Sequence, residues 1–171
     1  PGARAWRVLY VSTGRDNTER TLVCGVVVAP ESGPAVVTGP DGETRGRVVS
    51  WTHGTVGLVH RCQAASNPAA LIFGPTPLGI NQVSWSTHPD GTDPMVGTVE
   101  DGILAGMIGA GWIVTATDYY TDLWDGGSLM PFLIGKIEAA NAIDIVRAAD
   151  HLLTAIGSPS GAGAYDVVPW G

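Results

Sequence analysis

Two short stretches of this chain carry the residue types that acyl-transfer chemistry needs. One is Trp51-Thr52-His53-Gly54-Thr55, where a valine-rich run stops abruptly at a His-Gly pair. The other is Tyr165-Asp166-Val167-Val168-Pro169-Trp170-Gly171, an apolar strand running into glycine. In the nucleophile elbow, G-x-S-x-G, a strand runs into a glycine and the serine sits two residues later on a strained strand-to-helix turn. Gly171 suits the first glycine of such a turn, so the nucleophile is expected just beyond it. The same chemistry needs two backbone N–H donors aimed at the developing oxyanion. One comes from the residue after the nucleophile, the other from the loop after the third strand, often marked by His-Gly. Glycine lets the backbone turn sharply there, and losing one such donor costs about 3–4 kcal/mol in the transition state. The Thr55 N–H is the first candidate and that of Gly54 the second, with His53 a candidate substrate contact beside them. The competing reading is that His-Gly merely ends a strand and His53 packs locally.

No histidine in this chain is a convincing base. His151 falls late on a helical pattern, and His88 lies in a Ser-Thr-His-Pro-Asp turn. In hydrolases of this class the acid and the histidine follow the nucleophile in chain order, so both are expected past Gly171. Asp118 ends an apolar strand; its plainer reading is a carboxylate that ties neighbouring loops together. After it, Tyr119, Tyr120, Trp124, Leu129, Met130 and Phe132 make a glycine-containing excursion aromatic and apolar. Tyr119, Tyr120, Leu129 and Phe132 could line an acyl pocket or belong to a lid, or pack under a further domain. A dinucleotide site is disfavoured: Gly161-Ala162-Gly163 precedes its strand, so it cannot set a pyrophosphate on a helix N-terminus.

The elements that must position these groups can be read from periodicity. Trp6 to Ser12 and Thr21 to Ala29 read as strands separated by Gly14-Arg15-Asp16-Asn17, close enough for an antiparallel hairpin. Gly33 to Gly46 is turn-like, and Arg47 to Thr52 is a third strand. Thr55 to Thr98 is rich in Pro, Gly, Ser and Asn, with a short helix expected only near Asn67 to Ile72; loops this long are usually functional or disordered. Val99, Ile103, Leu104, Met107 and Ile108 recur at helical spacing, with Thr98 as N-cap, Asp101 reaching back, and Gly109 and Gly111 as terminators. Trp112 to Thr117 is a buried strand. A helix follows from about Lys136 to Ala155, with Ile137, Ala140, Ile143, Ala148 and Leu152 as its buried stripe, widened by Ile145, Val146, Ala149 and Leu153. Glu138, Asp144 and Asp150 are expected to stay wet, and Gly157-Ser158-Pro159 stops the helix. Alternation of helices with continuously apolar strands implies parallel pairing with right-handed crossovers. A hairpin leading into βαβαβ is the opening of an α/β-hydrolase sheet.

Composition narrows the class. At 171 residues, with 44% hydrophobic and 15% charged residues, the chain can fill a core. A formal net charge of −7 argues against nucleic acid, which demands a basic face. No apolar run approaches the ~18 residues of a membrane span. Pro1-Gly2-Ala3 shows no basic, then apolar leader, so any signal peptide is expected to be absent or removed. Of the two cysteines, Cys24 in a strand-like run reads as a buried free thiol. Cys62, in a polar loop, is a disulfide candidate toward something outside this segment. His60 and Cys62 lack a second ligand pair, so no metal site is expected.

Three segments resemble the secretory lipase family, the α/β-hydrolases similar to Candida antarctica lipase A and its actinobacterial relatives. Ser50-Trp51-Thr52-His53-Gly54-Thr55 with Cys62 downstream is similar to that family's HGT…C stretch. Thr117-Asp118-Tyr119 with Met130-Pro131-Phe132-Leu133-Ile134-Gly135 is similar to its DY…HPYLVG. Ile145-Val146-Arg147-Ala148-Ala149 with the strand into Trp170-Gly171 is similar to its VRAA and WGHSQGG. The resemblance runs from about Arg4 to the end. It implies a secreted esterase or lipase with a Ser-Asp-His triad, no cofactor, and a small ester or acylglycerol as substrate. It also implies that Cys62 pairs with a cysteine in the other half of the protein. Met130-Pro131-Phe132 departs from His-Pro-Tyr, Leu123-Trp124-Asp125 replaces a smaller glycine-containing stretch, and Cys24 stands where serine is commoner.

The expectation is therefore that residues 1–171 form the N-terminal part of one α/β-hydrolase domain, incomplete without a C-terminal segment or second chain that carries Ser, Asp and His. In the resembled fold the fifth strand is internal, and an unpaired apolar edge there must pair or aggregate. The alternative is a self-contained, non-catalytic α/β module that binds a small apolar ligand through the aromatic excursion.

Overall fold

Alternating burial shows how the sheet begins. Along β1 (Ala3–Thr13), Tyr10 and Ser12 are buried while Leu9 and Val11 are exposed. β2 (Arg20–Pro30) pairs with it antiparallel without interruption, from Ala3 opposite Pro30 to Thr13 opposite Arg20. The computed structural model describes residues 2–14, 18–52, 100–120, 134–158 and 165–170. Val26, Val27, Val28 and Ala29 are all buried, so alternation gives way to an apolar run covered on both faces. The run lies inside because β5 (Ile113–Thr117) pairs antiparallel with the other side of β2. β4 (Thr44–Trp51) then pairs parallel with β5, and β6 (Tyr165–Trp170) parallel with β4. The order is β1-β2-β5-β4-β6, an α/β arrangement in which an antiparallel hairpin leads into parallel strands.

The stretch expected to be turn-like, 33–46, instead holds β3 (Val36–Thr38) and the first residues of β4, paired antiparallel. The turn between them is tied by Gly39 N–H to Glu43 O at 2.8 Å and by an ion pair between Asp41 and Arg45. β3 is short, and its Val36 is exposed, so it carries little apolar signal. Its neighbour Ala35 donates to Gly111 O at 2.7 Å and accepts from Arg47 N–H at 3.2 Å, which stitches it to the heads of β4 and β5.

Two helices cover the faces. α1 (Glu100–Gly109) lays Leu104 and Ile108 on Val26, Val28, Val49, Trp51, Val114 and Ala116. α2 (Gly135–Ala155) lays Val146, Ala149 and Leu153 on Val27, Val48 and Ile113, and Ile137 and Ile145 on Tyr10, Val23 and Tyr120. Both helices end as the glycines predict. At α1, Gly111 (φ 88°) donates to Ile108 O and Trp112 to Met107 O; at α2, Gly157 (φ 67°) donates to Thr154 O and Ser158 to Leu153 O. These are paired 5→2 and 6→1 bonds, which satisfy the last free carbonyls.

Gly25 marks where α2 meets the sheet: a Cβ there would collide with the Ile145 side chain and lie 2.7 Å from Ala116 O. The buried stripe of α2 differs from the sequence expectation. Ile143 is 55% exposed, while Asn141 and Ala142 are buried. The stripe steps by four through Ile137, Asn141, Ile145, Ala149 and Leu153, so Ile143 turns outward. Asp144, expected to stay wet, is half-buried. Thr98, the expected N-cap of α1, and the short helix expected near 67–72 lie outside the described residues. No helix among the described residues is long and apolar enough to cross a membrane.

Candidate functional site

The carboxyl ends of β4, β5 and β6 come out at one end of the sheet, where ligands bind in open α/β folds. Trp51, last in β4, lies beside Trp170, last in β6. The next residue, Thr52, closes the junction: its backbone N–H and its Oγ1 both donate to Trp170 O, at 2.8 and 3.2 Å. Chain leaving β4 toward 53 and chain leaving β6 toward 171 therefore start side by side. His53, Gly54, Thr55, Cys62, Leu129, Phe132 and Gly171 lie outside the described residues.

Tyr119 and Tyr120 are described, and both are buried. They follow β5 in a corner made of Asp118, Tyr119 and Tyr120. Asp118 continues the ladder, donating its N–H to Cys24 O at 2.9 Å. Tyr119 then turns left-handed at φ 59°, a conformation that costs a non-glycine residue of order 1–3 kcal/mol and persists only where surroundings enforce it. The enforcing groups are polar and buried. Thr117 Oγ1 accepts the Tyr119 N–H at 2.9 Å, and Asn141 Oδ1 accepts the Tyr120 N–H at 2.8 Å.

Asn141 is fully buried and uses its whole amide. Its Nδ2 donates to Ser12 Oγ at 2.7 Å and to Thr13 O at 3.2 Å, while its backbone carbonyl accepts the Tyr10 hydroxyl at 3.0 Å. Ser12 Oγ passes its own hydrogen to Asp144 Oδ2 at 2.8 Å, and Arg147 closes the chain on Asp144 Oδ1 at 2.6 Å. Sequence reasoning missed Tyr10, Ser12, Thr117 and Asn141 as supports of this corner, and expected Asp144 only as a wet helix position. One signal was available: Asn141 sits four residues from both Ile137 and Ile145, a polar residue on the apolar stripe.

Burial governs the titrating groups here. It pushes the Tyr10 phenol far up, with the Thr117 hydrogen bond pulling the other way and Asp118 and Asp144 adding to the rise. Burial, then Glu138, pushes Tyr119 up to about 12. Cys24 is a free, half-buried thiol raised first by burial and then by the Asp118 carboxylate. His151 is exposed on α2. Among the described residues no group of His, Cys, Asp and Glu could hold a metal ion.

No protein-family model matches the chain, and no curated protein matches it. Among solved structures it is similar to the rice cell wall degrading esterase LipA from Xanthomonas oryzae, at 20% identity and a TM-score of 0.54. A mutant form of that esterase gives 20% and 0.55, and a ligand-bound form 19% and 0.50. Each likeness covers 98% of this chain and 33% of the esterase. The chain thus spans about one third of the length of those enzymes, and the likeness establishes a shared α/β fold.

Proposed function

We propose that this chain is the leading part of a secreted serine esterase or lipase that cleaves carboxylic esters through an acyl-enzyme. The observation that carries the reading is the junction of Thr52 with Trp170. It starts the two chemistry-bearing stretches, His53-Gly54-Thr55 and Gly171, from one point at the carboxyl end of the sheet. A nucleophile two residues past Gly171 would then have the Thr55 or Gly54 N–H as one oxyanion donor and its own following N–H as the other. The serine, acid and histidine come from a C-terminal segment or second chain, which also pairs with Cys62 and covers β6. Val167 and Val168 of β6 are 45% and 42% exposed, and among the described residues that strand bonds only to β4. An apolar edge of this kind calls for a partner.

The fold, the sequence resemblance to secretory lipases and the esterase likeness all support ester hydrolysis. Acylglycerols and small esters are the proposed substrates, with plant cell-wall esters added by the solved esterase's own name. The test is fluorophosphonate labelling of the full-length protein followed by peptide mapping. A label on a serine two residues past Gly171 is expected. No label, or a label elsewhere, would overturn the reading.

A further inference from the structure

The corner after β5 borders the proposed ester site, because β5 runs beside β4 with Ala116 opposite Trp51. The chain beyond Thr117 and the chain beyond Thr52 therefore start from the same end of the sheet. Three consecutive residues hold this corner, and each backbone N–H has a different partner. Asp118 is held by strand β2 through Cys24 O, Tyr119 by the Thr117 side chain, and Tyr120 by the Asn141 side chain. Only the last ties the corner to a helix, across 21 positions of sequence.

We infer that Asn141 is a positioning residue for the ester site, one that fixes the Asp118–Tyr120 corner and with it Tyr119 and Tyr120, the two described candidates for the acyl pocket. The inference rests on the esterase reading. A buried asparagine in an apolar stripe is costly unless every polar atom is matched. Here Oδ1 and Nδ2 are matched, and the partners are specific: Oδ1 holds the corner, while Nδ2 anchors the amide to Ser12 and Thr13 of β1. Ser12 is itself braced by Asp144, and Asp144 by Arg147. The amide is thus held from behind by an ordered chain and presents one acceptor forward. A residue serving packing alone at this step of the stripe would be apolar, as Ile137, Ile145 and Leu153 are. Asn141 does not touch the reacting atoms; it acts on substrate alignment through the backbone of Tyr120.

Two variants of the full-length protein test this. Asn141→Leu keeps the branched shape and removes both the acceptor and the amide donors; Ser12→Ala keeps the Tyr120 bond and loosens only the brace. Hydrolysis of p-nitrophenyl esters of graded acyl length is compared with amide hydrogen exchange at Tyr120. Asn141→Leu is expected to speed Tyr120 exchange at least tenfold, and to raise KM about tenfold for long acyl chains while kcat falls no more than about threefold. Ser12→Ala should shift both readouts the same way by a smaller factor. If both variants lower the melting temperature yet leave KM and its acyl-length dependence unchanged, Asn141 is structural only and the inference falls. Should Asn141→Leu fail to fold, Ser12→Ala decides by the same two readouts. A wild-type protein that takes no fluorophosphonate label and cleaves no ester overturns the esterase reading and this inference together; a labelled wild type with unaltered variants overturns the inference alone.

Discussion

Removing the hydroxyls of Tyr10 and Thr117 should destabilise the protein as one coupled pair. Tyr10 has a single hydroxyl hydrogen, and Asn141 O takes it at 3.0 Å. The 2.6 Å contact between Tyr10 and Thr117 must then use the Thr117 hydrogen. Thr117 Oγ1 in turn accepts the Tyr119 N–H, so a directional relay runs from Tyr119 through Thr117 and Tyr10 to Asn141. Tyr10→Phe deletes two buried bonds and strands the Thr117 hydrogen, a loss of about 1–3 kcal/mol. Thr117→Val keeps the shape but orphans the Tyr119 N–H at a left-handed residue, for a similar loss of about 1–3 kcal/mol. In the double variant the stranded hydroxyl is gone, so the two losses should overlap by about 1 kcal/mol. Urea unfolding of the four proteins, followed by tryptophan fluorescence, measures this. With a slope of about 2 kcal/mol/M, a 2 kcal/mol loss moves the midpoint by about 1 M. Additivity within about 0.3 kcal/mol would show that the hydroxyls act independently and would refute the relay.

Other outcomes follow from the packing and the titrating groups. Gly25→Ala should destabilise by about 1–3 kcal/mol through overpacking against Ile145 and Ala116 O; an unchanged urea midpoint would mean that α2 does not seat on β2 as described. Tyr10 and Tyr119 are kept neutral by burial, whereas the unfolded chain ionises tyrosine near 10. Their contribution is complete below that pH and falls as pH climbs from about 10 toward the folded value of about 12 for Tyr119. Tyr10→Phe should flatten the fall, read as urea midpoints across the alkaline range. Cys24, raised by burial and then by Asp118, should alkylate with iodoacetamide more slowly at neutral pH than an exposed thiol, and faster after Asp118→Asn. Peptide mapping separates it from Cys62, and a rate equal to that of free cysteine would refute the assignment.

Where burial follows local period, the sequence is a good guide to this fold. The β1–β2 hairpin, the apolar β5 and both glycine-stopped helices are legible because each rests on neighbours within a turn or a strand. β3 is not, since three largely exposed residues gain their order from Ala35, Gly111 and Arg47 rather than from their own apolarity. The stripe of α2 misleads for a related reason. Hydrophobicity ranks Ile143 above Asn141, yet position on the helix decides which faces the sheet. Asn141 can occupy the buried step because strand and corner satisfy its amide, so the usual penalty for a buried polar group is absent.

The candidate site was harder to read, and register explains why. A strand ending at His-Gly and a strand ending at glycine are each common, and nothing local says that they meet. Thr52 and Trp170 are 118 residues apart and become neighbours only because two crossovers set β5 and β6 on opposite sides of β4. That pairing brings the ends of the two strands that lead into these motifs to one location, which neither motif could show alone. The Tyr119 turn is the converse case. Its left-handed backbone is unfavourable for the residue in isolation, and its supports come from β5 and α2. A conformation enforced from outside leaves no trace in its own tripeptide, and the geometry of such a corner can be inherited only through partners like Thr117 and Asn141.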